Sequence, residues 1–221
     1  MVKDEDSAAL WYASAANQGH VRAQYKLGQC LLNGKGMEKD PADAATWFEK
    51  AVEGGDVDAA YSLGEIYFNG AGRPQDFVAA IECFRVSAEA DNVGAQMHLG
   101  VCAEEGRGMP QDFAEAAKWY RRSAERENAF AQYKLGFCLE TGKGGAQSPS
   151  EAIKWYRKSA EHGQIEAVSR LAQGLDEGIN TAVDHTGAAL GFRVAAELGL
   201  VGAQARLAAY YDEGLGVKQD L

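Results

Sequence analysis

Apolar residues in this chain recur at intervals of three and four, stop at glycines, and resume. Between Asp40 and Gly55 they are Ala44, Trp47, Phe48, Ala51 and Val52, with Asp43, Thr46, Glu49 and Lys50 between them. That spacing places them on one stripe of an amphipathic helix. Asp40 offers a side-chain acceptor to the first free amides, and Pro41 stands where a missing N–H costs nothing. Gly54-Gly55 ends the segment. A second stripe runs from about Val57 to Asn69 through Ala59, Ala60, Leu63, Ile66 and Tyr67, and Asn69-Gly70 closes it, because glycine tolerates the left-handed conformation after a helix. The stretch predicts a helix hairpin.

The same pattern returns without gaps. Leu27 recurs as Leu63, Leu99, Leu135, Leu171 and Leu207, and Gly34 as Gly70, Gly106, Gly142, Gly178 and Gly214, an interval of 36 residues. Six copies, at about 4–39, 40–75, 76–111, 112–147, 148–183 and 184–219, fill the chain. Such a period predicts an all-α solenoid of helix-turn-helix repeats spanning 1–221 as a single domain, since no one unit can bury its own apolar face. Asp4, Asp76, Asp112 and Asp184 hold the cap position, and Ser148-Pro149-Ser150-Glu151 reads as a capping box. Tyr12, Phe48, Phe84, Tyr120, Tyr156 and Phe192 form an aromatic column expected to be the core spine. The column before it holds Trp11, Trp47, Trp119 and Trp155, with Cys83 and Gly191 in the other copies. Ala8, Ala44, Ala80, Ala116, Ala152 and Ala188 keep one face small, as close helix approach requires. Paired glycines such as Gly70 and Gly72 reverse the chain between units. The fifth copy breaks this grammar, with Asn180 at the second glycine and Gly174 inside a helix, and is expected to be the softest.

Composition narrows the function. Thirty-two acidic against 22 basic residues leave a formal charge of −10, which repels phosphate backbones and argues against nucleic acid. No stretch reaches membrane-spanning length, and the first twenty residues lack the apolar core of a secretory signal, so a soluble, cytoplasmic chain without membrane insertion is expected. Cys30, Cys102 and Cys138 share one column and Cys83 lies in another, so free buried thiols are expected in place of disulfides. No GxGxxG, P-loop, HExxH, Ser-x-x-Lys or GxSxG is present, and neither a cofactor nor a metal is implied. His20, His98, His162 and His185 fall in four different columns and read as surface or turn residues.

The elements A-x-x-W-Y, A-x-x-x-L-G and G-x-G, as they stand between Ala116 and Gly144, resemble the Sel1-like repeat, a relative of the tetratricopeptide repeat. The resemblance covers all six copies. It implies a right-handed α/α superhelix whose members act as adaptors. A secreted branch of that family staples each hairpin with paired cysteines, but the two positions concerned hold Ala16 and Gln24, and Val52 and Ala60, so that branch does not fit.

One pattern suggests a binding site. Arg85, Arg121, Arg157 and Arg193 recur at one phase of the first helices, with Lys50, Arg122 and Lys158 one residue later. In solenoids of this kind the first helices line the concave face, so stacking would align these cations into a ladder for an acidic protein or peptide segment. A competing reading pairs each arginine with a glutamate four residues on, Glu89, Glu125, Glu161 and Glu197. The functional reading is a noncatalytic interaction scaffold. Its alternatives are a spacer or self-stacking array, suggested by Leu10, Trp11 and Tyr12 on the first helix without a polar cap, and a cell-wall or β-lactam hydrolase, for which no nucleophile and base stand at a recognisable spacing.

Overall fold

Twelve helices follow one another in the computed structural model, which describes residues 4–179 and 182–217. Asn180 and the outermost terminal residues lie outside the described residues. The helices are α1 Glu5–Asn17, α2 Val21–Asn33, α3 Pro41–Glu53, α4 Val57–Asn69, α5 Phe77–Glu89, α6 Val93–Glu105, α7 Phe113–Glu125, α8 Ala129–Thr141, α9 Pro149–Glu161, α10 Ile165–Asp176, α11 His185–Glu197 and α12 Val201–Glu213. There is no strand among the described residues. They group into two compact units, Met1–Gln111 with α1–α6 and Asp112–Leu221 with α7–α12. Within each unit every helix packs on the next, so the second helix of one hairpin lies against the first helix of the following one, as an all-α solenoid of helix hairpins requires.

The helix ends follow their capping residues. Asp4, Asp40, Asp76, Asp112 and Asp184 each accept a backbone N–H of the first turn. Gly34, Gly70, Gly106, Gly142 and Gly214 end the second helices in the left-handed conformation. The second glycine of each pair meets a different demand. At Gly72 a side chain would fall on the Pro41–Ala42 backbone, so the loop is closed against the first turn of its own repeat. Gln75, Gln111 and Gln147 then donate their side-chain amides to the free carbonyls of Phe68, Glu104 and Glu140.

The capping box expected at Ser148 is not made. Ser148 starts α9 without a side-chain hydrogen bond, and Glu151 faces Arg121 and Trp155 instead of turning back. The fifth copy departs further: α10 is 12 residues long against 13 elsewhere, has no side-chain N-cap, and ends on Glu177 in the right-handed region.

The aromatic spine is buried from Phe48 through Phe84, Tyr120 and Tyr156 to Phe192, each at most 1% exposed. The first copy is the exception. Tyr12 is half-buried and Ala8 is exposed, because within the described residues no helix precedes α1 to cover that face. Three of the spine rings, Phe48, Phe84 and Tyr156, sit on a glycine of the preceding hairpin's second helix, whereas the position before Phe192 is Ala172. A Cβ built on Gly28, Gly64 or Gly136 would stand 2.5 to 2.6 Å from the ring of Phe48, Phe84 or Tyr156. The glycine of the L-G dipeptide is therefore a socket for the next repeat's ring.

A second column closes four of the six hairpins internally, with Ala60 and Val168 at its position in the other two. The side-chain amides of Gln24, Gln96, Gln132 and Gln204 donate to the carbonyls of Ala16, Ala88, Ala124 and Ala196, eight residues back, at 3.1 to 3.4 Å. Gln24 and Ala16 occupy the pair of positions that would be cysteines in the stapled branch, and here a side-chain amide hydrogen bond links them across the hairpin. Gln132 is 1% exposed, and its Oε1 also meets His162 Nδ1 at 3.1 Å. Gln132→Leu should lower unfolding free energy by about 1–3 kcal/mol by removing the buried bond to the Ala124 carbonyl, which keeps its backbone donor from Glu127, and by depriving His162 Nδ1 of its contact with Gln132 Oε1. Gln204→Leu, at an exposed position, should stay within about 0.5 kcal/mol. Urea unfolding of both variants checks the contrast.

The cysteines are free, with Cys102 and Cys138 buried and Cys30 and Cys83 half-buried. Burial pushes the Cys83 and Cys102 thiols up to about 11, which keeps them protonated and unreactive. The histidines differ from the surface reading at one position. His98 stacks on Phe84 at 4.6 Å and 3°, beside Tyr61 and Phe68. Burial holds its pKa below the usual value of 6.5. In the interval between that lowered pKa and 6.5, the unfolded chain binds a proton that the folded chain refuses, so stability falls as pH drops through that window. Denaturant midpoints at about pH 7.5 and about pH 5.5 should converge for His98→Phe and separate for the unaltered chain.

Candidate interaction surface

The two cation columns of the first helices reach different surroundings. Lys50 Nζ lies 3.9 Å above the Trp47 ring, Arg122 Cζ 5.0 Å from Trp119, and Lys158 Nζ 4.6 Å from Trp155. Residues three apart on a helix share a face, so each cation of this column covers its own tryptophan. Trp47, Trp119 and Trp155 are half-buried, whereas Trp11, with serine three residues on, is 75% exposed.

The arginine column points into grooves. In unit 2 a hollow of about 260 Å³ between α7 and α8 is lined by Ala117, Arg121, Leu135 and Leu139. The next, about 630 Å³ between α9 and α10, is lined by Ile153, Arg157, Leu171 and Leu175. The third, about 690 Å³ between α11 and α12, is lined by Ala189, Arg193, Leu207 and Tyr211. These are the same four repeat columns, so one architectural groove occurs three times with an arginine at its edge. Arg85 is exposed on α5 in unit 1.

The glutamates four residues beyond these arginines are not their partners. Among the described residues, no ion pair joins Arg85 to Glu89, Arg121 to Glu125, Arg157 to Glu161 or Arg193 to Glu197. A basic residue preceding an acidic one is the poorer order for such a pair on a helix. Arg121 instead reaches Glu151 of the following hairpin, Nη1 to Oε1 3.5 Å.

Sequence reasoning missed the groove walls. Leu135, Leu171 and Leu207 were legible as a repeated column, but the period alone does not reveal that the stripe is left partly uncovered beside the arginine. It missed Lys154 as well, which lines the α9–α10 groove one turn before Lys158. Elsewhere the polar networks tie helices together. Tyr156 donates to Glu140, which also accepts from Arg170 at 3.3 Å, and burial with that carboxylate contact raises the tyrosine pKa. No group of three or more metal-ligating side chains occurs among the described residues, and no helix there is long and apolar enough to cross a membrane.

The Sel1 repeat model matches residues 1–20, 21–56, 57–92, 93–128, 129–164 and 201–221. The chain belongs to the Sel1 repeat family. The family's repeat frame starts at the second helix of each hairpin, half a unit out of phase with the frame set by the aspartate caps. Residues 165–200, which hold the short α10 and α11, are unmatched, in keeping with the irregularities of the fifth copy. A search of curated protein sequences finds no match. Among solved structures, this Sel1 repeat chain is similar to c5321, described as a protective antigen of uropathogenic Escherichia coli displaying an SLR fold, with 33% identity and a TM-score of 0.88. The match covers 96% of this chain and 45% of that one, so the chain spans less than half of that protein's length. A Sel1 repeat protein from Oxalobacter formigenes matches with 28% identity and a TM-score of 0.81, over 99% of this chain and 93% of that one. Sel1 repeats are in general a protein–protein interaction scaffold.

Proposed function

We propose that this chain is a noncatalytic scaffold that binds a protein or peptide segment along its first helices, the concave side of such arrays. The observation that carries this is the threefold groove between first and second helices, each with an apolar floor and an arginine of one column at its edge. A repeated apolar slot with a planar cation beside it suits an extended segment presenting side chains at regular intervals. Lys50, Arg122 and Lys158 would serve less directly, since each lies over a tryptophan. The test is affinity capture from source-organism lysate with the unaltered chain and with Arg85→Glu, Arg121→Glu and Arg157→Glu combined. Loss of a specifically captured protein, with helicity and thermal midpoint unchanged, is expected. Undiminished capture by the variant would remove the arginine column as the docking site, and no capture by either would remove the scaffold reading.

Self-association is a second reading, favoured by Leu10 and Trp11, which are 70% and 75% exposed side by side on α1. Concentration-dependent sedimentation that disappears in Trp11→Glu would support it. A monomer at all concentrations would exclude it.

A further inference from the structure

The groove between α9 and α10 differs from its neighbour between α7 and α8 in what faces its cation. There Arg121 is met by Glu151, 30 residues further on. Thirty residues beyond Arg157 stands Gly187, so the packing that delivers a carboxylate to one groove delivers no side chain to the other. In the α11–α12 groove Asp184 shares the lining with Arg193. Among the described residues neither Arg157 nor Lys154 takes part in an ion pair, and both are exposed at the rim of the α9–α10 hollow. The wall beneath them is Ile153, Leu171, Leu175 and Ile179.

Resting on the scaffold reading, we infer that this groove holds a segment of an acidic partner. One or two bulky apolar side chains of that segment sit against Ile153, Leu171 and Leu175, and a carboxylate one or two residues away is held by Arg157 and Lys154. The apolar wall gives the reason for a bulky anchor, since covering it removes its surface from water. The guanidinium fork and the neighbouring ammonium give the reason for a carboxylate, and a segment bearing lysine there would be repelled. The whole chain carries −10, so an acidic segment is held by this local pair of cations and not by the overall field.

The test is fluorescence anisotropy on the full chain with three labelled synthetic nonapeptides: a Leu-Phe core flanked by glutamates, the same core flanked by lysines, and the glutamate peptide with serines for the core. Binding of the first peptide alone is expected. Lys154→Glu combined with Arg157→Glu should weaken it by about tenfold or more and admit the lysine-flanked peptide. Lys118→Glu, an exposed cation of α7 that pairs with Glu115 and lines none of the grooves, should leave it within about twofold. All these side chains are exposed, and circular dichroism of each variant checks that it folds. Equal binding of all three peptides would overturn the inference. So would insensitivity to the double reversal, or binding of decanoate in place of any peptide. Failure of every peptide while lysate capture persists would sink this assignment and leave the scaffold standing, whereas failure of both would remove the two together.

Discussion

Phe84→Ala should lower the unfolding free energy by about 3–5 kcal/mol, the largest loss expected from any single truncation in unit 1. Phe84 is fully buried where α4 meets α5. Its ring stacks on His98 at 4.6 Å, tilts against Tyr61 at 6.0 Å and Phe68 at 6.1 Å, and rests on the backbone of Gly64. Truncation would open a cavity walled by stiff rings that cannot collapse into it, so both the transfer and the cavity contributions are lost. Tyr12 holds the same column in the first repeat but is half-buried. Tyr12→Ala should therefore cost less than half as much, because much of its surface is already in water. Urea titrations followed by circular dichroism decide the matter. Equal losses at the two positions would mean that the column's contribution comes from within each helix and not from the seam between hairpins.

Gly64→Ala is the second, and its sign is the informative part. On helix propensity alone, alanine in mid-helix should stabilise by about 0.8–1 kcal/mol. Here the added Cβ would stand 2.6 Å from Phe84 Cε1 and 2.7 Å from Cδ1, so a fully buried ring must shift. A net destabilisation of about 1–3 kcal/mol is expected. If the ring is the cause, Phe84→Leu combined with Gly64→Ala should cost less than the two single changes summed, with a coupling of about 0.5–3 kcal/mol. Gly202→Ala on α12 is the control. Nothing lies within 4 Å of the Cβ it would gain, and the same chemical change should stabilise by about 0.4–1 kcal/mol. A stabilising Gly64→Ala would show that the socket is looser than its geometry indicates.

The local pattern of the second repeat was legible to the residue. Asp40, Pro41 and Gly70 are punctuation that acts through the nearest turn of backbone, so a helix from Pro41 and another ending at Asn69 follow from neighbours alone. The capping box at Ser148 was misread because its glutamate had a choice that only packing supplies, an arginine and a tryptophan lying within reach. His98 was misread because its column shows nothing until the aromatic rings of α4 and α5 close around it.

The candidate site divides in the same way. The arginine column and its period stand in the sequence, since they depend only on spacing. That Lys50, Arg122 and Lys158 cover tryptophans was within reach too, because a three-residue offset on a helix guarantees a shared face. Which arginine meets a carboxylate was not. Arg121 reaches Glu151 because the following hairpin packs against its own, and the equivalent position one repeat further on is Gly187, which carries no side chain. By itself the sequence determined the helices, their caps, the repeat and the absence of recognisable catalytic spacing, all consequences of interactions within a few residues of chain. The tertiary structure decided which apolar stripe stays uncovered and which cations stay unpaired, because those depend on surfaces brought together from 30 residues apart.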